Sequence, residues 1–220
     1  MARNKWGPGG PFIGKLGASI GYIRRGTPVV RSLPHVSNKP RTEAQKASSQ
    51  QFSLAMKLAA CVNSFIACGF HPATIGKGAI PQNAFTSYTR NHCMAGEYPD
   101  QYIDCSKVKV SIGNISPPID AMVHRESDLL HFNWTVNPSW SSSVNGDQVM
   151  LLAYYPHSRR SDYVIGLALK NQGNATLQMR LGQNKKPDGS SVEVVETYLA
   201  FISNDRQQVS DSVYTGQIVL

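Results

Sequence analysis

The sequence predicts an α+β protein: a basic N-terminal arm and helical segment, then an antiparallel β-sandwich of fibronectin or immunoglobulin type. Three observations carry this. A capped, broadly apolar helix begins at Thr42. From Tyr102 onward, short β runs alternate with turn residues. Before Thr42, the chain is rich in Gly and Pro and holds no acidic side chain.

The arm comes first. Residues 1–41 carry Arg3, Lys5, Lys15, Arg24, Arg25, Arg31, Lys39 and Arg41, which account for the whole net charge of +8. Residues 101–220, with ten basic and eleven acidic groups, are nearly neutral. Two short strands are expected at 16–23 and 28–33, around the turn Arg24-Arg25-Gly26-Thr27. On the first, Leu16, Ala18, Ile20 and Tyr22 share one face, and Gly17, Ser19 and Gly21 the other. A face that small invites another backbone to approach closely. A two-stranded hairpin is marginal alone, so the arm must pack on something. Lys15, Gly17, Ser19, Gly21, Tyr22, Arg24, Arg25 and Arg31 are the residues expected to make that contact.

Thr42-Glu43-Ala44-Gln45 has capping-box spacing, and a helix is expected from there to about Cys68, stopped by Gly69 and Pro72. Phe52, Ala55, Ala59, Val62 and Ile66 form one seam; Leu54, Leu58, Cys61 and Phe65 form a second. This is wider than the usual stripe. Phe52, Leu58, Val62 and Phe65 are therefore expected to be buried. A second helix is expected over 82–94.

The β candidates are 108–112, 119–124, 129–135, 148–155, 163–169, 176–181, 194–203 and 208–214, separated by pairs such as Gly113-Asn114, Asn137-Pro138 and Asn204-Asp205. That spacing fits a sandwich. Trp134 is the expected core aromatic. The domains follow as residues 1–98 (arm plus helical subdomain) and 99–220 (sandwich).

Gly9-x-x-x-x-Gly14-Lys15 matches a phosphate loop until Leu16 replaces the Ser or Thr that would ligate magnesium. The six histidines are scattered without metal-ligand spacing, and Ser141-Ser142-Ser143 lacks a nucleophile elbow. Glu97, Asp100 and Asp104 could form a carboxylate pair, but hydrated loop charge is the simpler reading. Cys61 and Cys68, two helical turns apart, are beyond disulfide reach; with Cys93 and Cys105 they read as buried free thiols. No catalytic, cofactor or metal residue is assigned, and no enzyme is expected.

Met1-Ala-Arg-Asn-Lys5, Gly14-Lys15-Leu-Gly17, Arg31-Ser-Leu-Pro34 and Lys39-Pro-Arg-Thr42-Glu-Ala-Gln45, with Tyr98-Pro-Asp100, Tyr198-Leu-Ala-Phe-Ile-Ser203 and Val209-Ser-Asp-Ser-Val-Tyr214, resemble a bacterial family, chiefly of Bacteroidota, called domain of unknown function 6266. The resemblance spans nearly the whole chain and implies no activity and no site residue.

The leading expectation for function is structural: a homo-oligomeric subunit of a repeating assembly such as a filament, tube, surface layer or virus-like particle, joined through the arm by strand addition. The alternative is sequence-independent nucleic-acid binding through residues 1–41, where Trp6, Phe12 and Tyr22 stand among the cations. A third is a carbohydrate-binding sandwich using Trp140, Tyr154 and Tyr155. No run of 18 apolar residues and no secretory leader is present, so no membrane-spanning helix is expected. Localisation is left open: synthesis in the cytoplasm is expected, with the protein either staying there or reaching an extracellular or particle assembly by a non-classical route.

Overall fold

The glycine-rich arm folds as an antiparallel meander. In the computed structural model, which describes residues 3–4, 10–35, 38–138, 146–180 and 193–220, strands β1 (Arg3–Asn4), β2 (Phe12–Leu16), β3 (Ser19–Arg24) and β4 (Thr27–Ser32) pair in that order. The expected strand at 16–23 is therefore two strands. Gly17, with φ 57, takes the left-handed region and turns the chain between Leu16 and Ser19, which pair with each other. The chain divides after Arg41 into two compact units, Met1–Arg41 and Thr42–Leu220. The boundary expected near residue 98 falls inside the second.

In the second unit, Thr42 caps helix α1 (Glu43–Cys61) as its spacing predicts. Gln45 N donates to Thr42 Oγ1 (3.3 Å), and Thr42 N donates to Gln45 Oε1 (3.1 Å). The helix does not run on to Cys68. It breaks at Val62, and α2 (Asn63–Gly69) departs at 89°. A continuous helix would give the Cys61 carbonyl to Phe65 N, but Ser161 Oγ donates to that carbonyl (2.7 Å). Phe65 N donates instead to Val62 O (3.1 Å). A side chain from a distant strand has taken a place in the ladder, which is a known cause of sharp kinks. Leu58, Val62 and Phe65 are buried as expected, but Phe52 is 52% exposed. The cover over α1 reaches only its second half, where Ala55 is the first buried position. Among the described residues no single helix is long and apolar enough to cross a membrane.

A short helix, α3 (His71–Thr74), and α4 (Pro81–His92), which has Pro at its first turn, complete the helical layer. Strands β5 (Met94–Ala95) and β6 (Tyr102–Ile103) form a small ribbon. Residues 108–112, expected as a strand, are not one. Val108 and Val110 are buried, yet the backbone partners are scattered instead of forming a ladder: Val110 N donates to Ser212 Oγ (2.9 Å), Ile112 N to Gly69 O (3.1 Å), and Ser111 O accepts from Ser212 N (3.1 Å).

The remaining strands are β7 (Ile119–Glu126), β8 (Leu129–Thr135), β9 (Gln148–Tyr155), β10 (Arg160–Leu169), β11 (Asn174–Gln178), β12 (Val194–Ile202) and β13 (Val213–Val219). They form two antiparallel sheets, in the orders β10-β9-β12-β13 and β11-β8-β7. The last strand starts five residues later than expected. Ser210 and Ser212 spend their hydroxyls on Phe201 N (2.8 Å) and Val110 N, so regular pairing with β12 resumes only at Val213.

Alternation along β9 and β12 builds the layers. Val149, Leu151, Ala153 and Tyr155, with Val195, Leu199 and Phe201, meet Leu130, Phe132, Trp134 and Leu177 of the second sheet. Met150, Leu152, Tyr154, Tyr198, Ala200 and Ile202 face the other way, onto Leu58, Phe65, Phe70 and Phe85 of the helices. Trp134 is the core aromatic expected; its Nε1 donates to Lys170 O (2.8 Å). Replacing Phe65 by Ala is expected to cost about 3–5 kcal/mol in denaturant melts. Phe52→Ala at the uncovered end of α1 is expected to cost about 0.5 kcal/mol or less.

Candidate interaction surface

Cross-strand register sorts the arm's side chains onto two faces, because paired residues project the same way. The pairs Gly14–Gly21, Leu16–Ser19, Gly21–Val30 and Ile23–Pro28 put Gly14, Leu16, Ser19, Gly21, Ile23, Pro28, Val30 and Ser32 on one face, with Phe12 two residues before Gly14. None is charged. The pairs Lys15–Ile20, Ile20–Arg31, Tyr22–Val29 and Arg24–Thr27 put Lys15, Arg24 and Arg31 on the opposite face, between Ile20, Tyr22 and Val29. Arg31 lies over the Tyr22 ring, 5.9 Å from its centroid. Arg25 stands at the hairpin tip with φ 51.

The eight residues singled out by sequence thus fall into three groups. Lys15, Tyr22, Arg24 and Arg31 share the cationic face, joined at its edge by Arg25. Ser19 and Gly21 share the uncharged face. Gly17 belongs to neither; it is a turn residue with open space around it. The close approach expected at the small face occurs at Gly21, and the approaching group is in the same unit. A Cβ on Gly21 would lie 2.1 Å from the Phe12 carbonyl oxygen and 2.9 Å from its ring. Gly21 is the one buried residue among those described in the arm. On the same face, Leu16 (59%), Ile23 (42%) and Val30 (54%) remain exposed. Lys15, Arg24, Arg25 and Arg31 have no carboxylate partner among the described residues.

Other chemically suggestive residues have structural duties. Asp104 accepts from Ser106 N (3.2 Å) and Ser106 Oγ (2.5 Å) and pairs with Lys107 (2.9 Å), which together hold its carboxyl below the usual range. Asp211 pairs with Lys109 (2.6 Å), and Asp205 accepts from Ser203 Oγ (2.5 Å) and Gln207 N (3.0 Å). Tyr155 is fully buried and donates to Asp162 (3.0 Å), and the Tyr154 ring is covered as well, so neither offers a stacking face for a sugar. Trp140 and the run Ser141–143 lie outside the described residues, as do Trp6 and Gly9. The described residues contain no group of three or more His, Cys, Asp or Glu that could hold a metal.

The four cysteines are free. The bend at Val62 removes the two-turn helical spacing assumed between Cys61 and Cys68. Burial pushes the Cys93 thiol up to about 11. Burial, reinforced by the Glu196 charge, pushes Cys105 up to about 12.

Fold and surface together define an α+β protein of antiparallel sheets that presents a two-faced basic sheet at its N-terminal end. The chain belongs to the Family of unknown function (DUF6266), which it matches over residues 10–216. The resemblance read from the motif order is thereby borne out. No curated protein matches the chain.

Two outcomes follow from this geometry. Gly21→Val is expected to abolish hydrogen-exchange protection across residues 12–31 while the melting of the second unit stays unchanged, because the added side chain must displace a backbone carbonyl. Cys93 and Cys105 are expected to resist alkylation at pH 8 in the folded protein, since both remain thiols there, and to react at once in denaturant. Peptide mass mapping after timed quenching reads this directly.

Proposed function

We propose that this protein is a non-enzymatic subunit of a homo-oligomeric assembly, joined through the uncharged face of its arm sheet. The observation that carries the reading is the exposure of Leu16, Ile23 and Val30 on a sheet with a single buried residue. A sheet with so little interior gains stability by covering its apolar face. A second copy of the same face is the partner that fits. Uncharged face on uncharged face carries no like-charge cost, whereas cationic face on cationic face would bring Lys15, Arg24 and Arg31 against their own kind. Such an isologous contact closes as a dimer; a filament, tube or layer would need a further contact elsewhere on the chain.

The second unit is read as a fibronectin-like sandwich that serves as the body of this subunit. Support comes from the strand orders β11-β8-β7 and β10-β9-β12-β13, with both inner faces meeting in one core.

A specific observation also favours a second reading, in which the cationic face binds nucleic acid without regard to sequence. Four cations, Lys15, Arg24, Arg25 and Arg31, have no carboxylate partner among the described residues, and Arg31 lies over the Tyr22 ring. If all four met phosphates of duplex DNA, log affinity would fall against log salt with a slope of about 3–4.

Sedimentation separates the two. Self-association that persists at high salt and weakens at least about tenfold in Ile23→Asp and Val30→Asp fits the assembly reading. A full-length protein that stays monomeric at high concentration, yet binds DNA and loses it on Arg24→Glu plus Arg31→Glu, would leave only the second.

A further inference from the structure

A cavity of about 270 Å³ opens in the second unit, between α1, the segment 101–105 and the turn that joins β9 to β10. Its volume is just below the range usual for small-molecule pockets. Leu54 and Leu58 of α1 and Ile103 of β6 give it an apolar wall, and no carboxylate lines it. Its polar lining includes Lys57 from the helix, Arg159 from the turn and Tyr154 from the end of β9.

Three features set these groups apart from ordinary surface charge. Lys57 and Arg159 have no carboxylate partner among the described residues, and both line this one cavity. The Tyr154 ring is only 9% exposed and lies in the cavity wall, and its hydroxyl, which no protein group among the described residues engages, is free to meet a ligand. Burial raises the Tyr154 hydroxyl to about 12, so it stays protonated and able to donate. The third feature is the anchoring of Arg159. It adopts the left-handed region (φ 52), unusual for a residue other than glycine. Cys61 Sγ donates to its carbonyl (3.1 Å), and Ser161 Oγ donates back to Cys61 O (2.7 Å). The root of Arg159 is thereby tied to the end of the helix that carries Lys57. Its charge acts on both the Tyr154 hydroxyl and the Cys61 thiol. Glu196, the acid that also acts on Tyr154, is already engaged by Tyr214 (2.6 Å) and Gln217 (2.8 Å).

We propose that this cavity binds a small apolar carboxylate, with the Arg159 guanidinium and the Tyr154 hydroxyl on its oxygens, Lys57 beside them and the hydrocarbon part against Leu54, Leu58 and Ile103. A carboxylate suits this set because a guanidinium fork matches its two oxygens, leaving a lone pair for the tyrosine. The apolar wall rewards a hydrocarbon substituent that a bare inorganic anion lacks. The site is independent of the arm and of the assembly reading.

Hexanoate and benzoate are the probes, titrated into the full-length protein and followed by amide chemical shifts or calorimetry. Saturable binding is expected at millimolar or lower concentration, with shifts on both sides of the cavity, at residues 54–58 and 154–159. Hexan-1-ol and hexylamine should bind at least about tenfold more weakly than hexanoate, since each forfeits the charge-assisted hydrogen bonds. Arg159→Gln should cost about tenfold or more, and Lys57→Gln and Tyr154→Phe roughly three- to tenfold each. The two cations are exposed and Phe keeps the tyrosine ring, so the melting temperature should hold in all three variants. No saturation with either probe, equal binding of hexylamine, or unchanged affinity in Arg159→Gln would overturn the site. Tighter binding of phenyl phosphate than of benzoate would overturn the choice of carboxylate.

Discussion

The strand pair β9 and β12 sets the terms for the rest of the second unit, because it is apolar on both faces. Positions 149–155 and 195–202 are buried without a break. One sheet can cover only one side. The three strands β7, β8 and β11 take the odd-numbered side chains, and the helical layer takes the even-numbered ones. The helices thus close a second core on the other face of the same sheet and are part of one compact unit with it. This is why the compact unit begins at Thr42 and not near residue 98.

Much of this was legible in the sequence where local pattern and global packing agree. The runs 129–135 and 148–155 are strands end to end, and the capping box at Thr42 opens its helix. What escaped depends on partners far away in the chain. The break at Val62 is imposed by a serine 100 residues on, and no periodicity in 43–68 announces it. Residues 108–112 have the alternation of a strand but divide their backbone bonds among Cys105, Gly69 and Ser212. In the arm, the eight cations were plain, but their segregation was not. Reading 16–23 as one strand places Leu16 beside Ile20 and Tyr22. The turn at Gly17 moves it to the opposite face, where it joins Ile23 and Val30, and a register error of this kind inverts a surface.

Charge is informative here through what is left over. In the second unit most basic side chains near acids are matched: Lys109 with Asp211, Arg180 with Asp162, Lys170 with Asp147, Arg160 with Glu193. The exposed pairs among them contribute little to stability, and Lys170–Asp147 is buried, but together they help neutralise that unit. Among the described residues, cations without acidic partners stand together in two places, the arm sheet and the mouth of the cavity beside Tyr154, while Lys46, Lys77, Arg90, Arg125 and Arg206 stand elsewhere in the second unit. Neither place was chosen by motif. Both emerge only when register and contacts reveal which charges have partners.

The double-sided burial of β9 and β12 also bears on how the chain survives its own synthesis. Val149 to Tyr155 is seven residues with high β-propensity, no charge and no proline, the profile of a segment that sticks to its own kind when bare. Residues 197–202 repeat the hazard. During translation, α1, α2 and α4 leave the ribosome before either strand, as do β7 and β8 from the other side. Helices form from local contacts within about a microsecond, far faster than distant strands find each other. The order of elements along the chain therefore delivers the helical cover, and two of the three strands of the other, ahead of the surfaces they must hide; β11 follows β9.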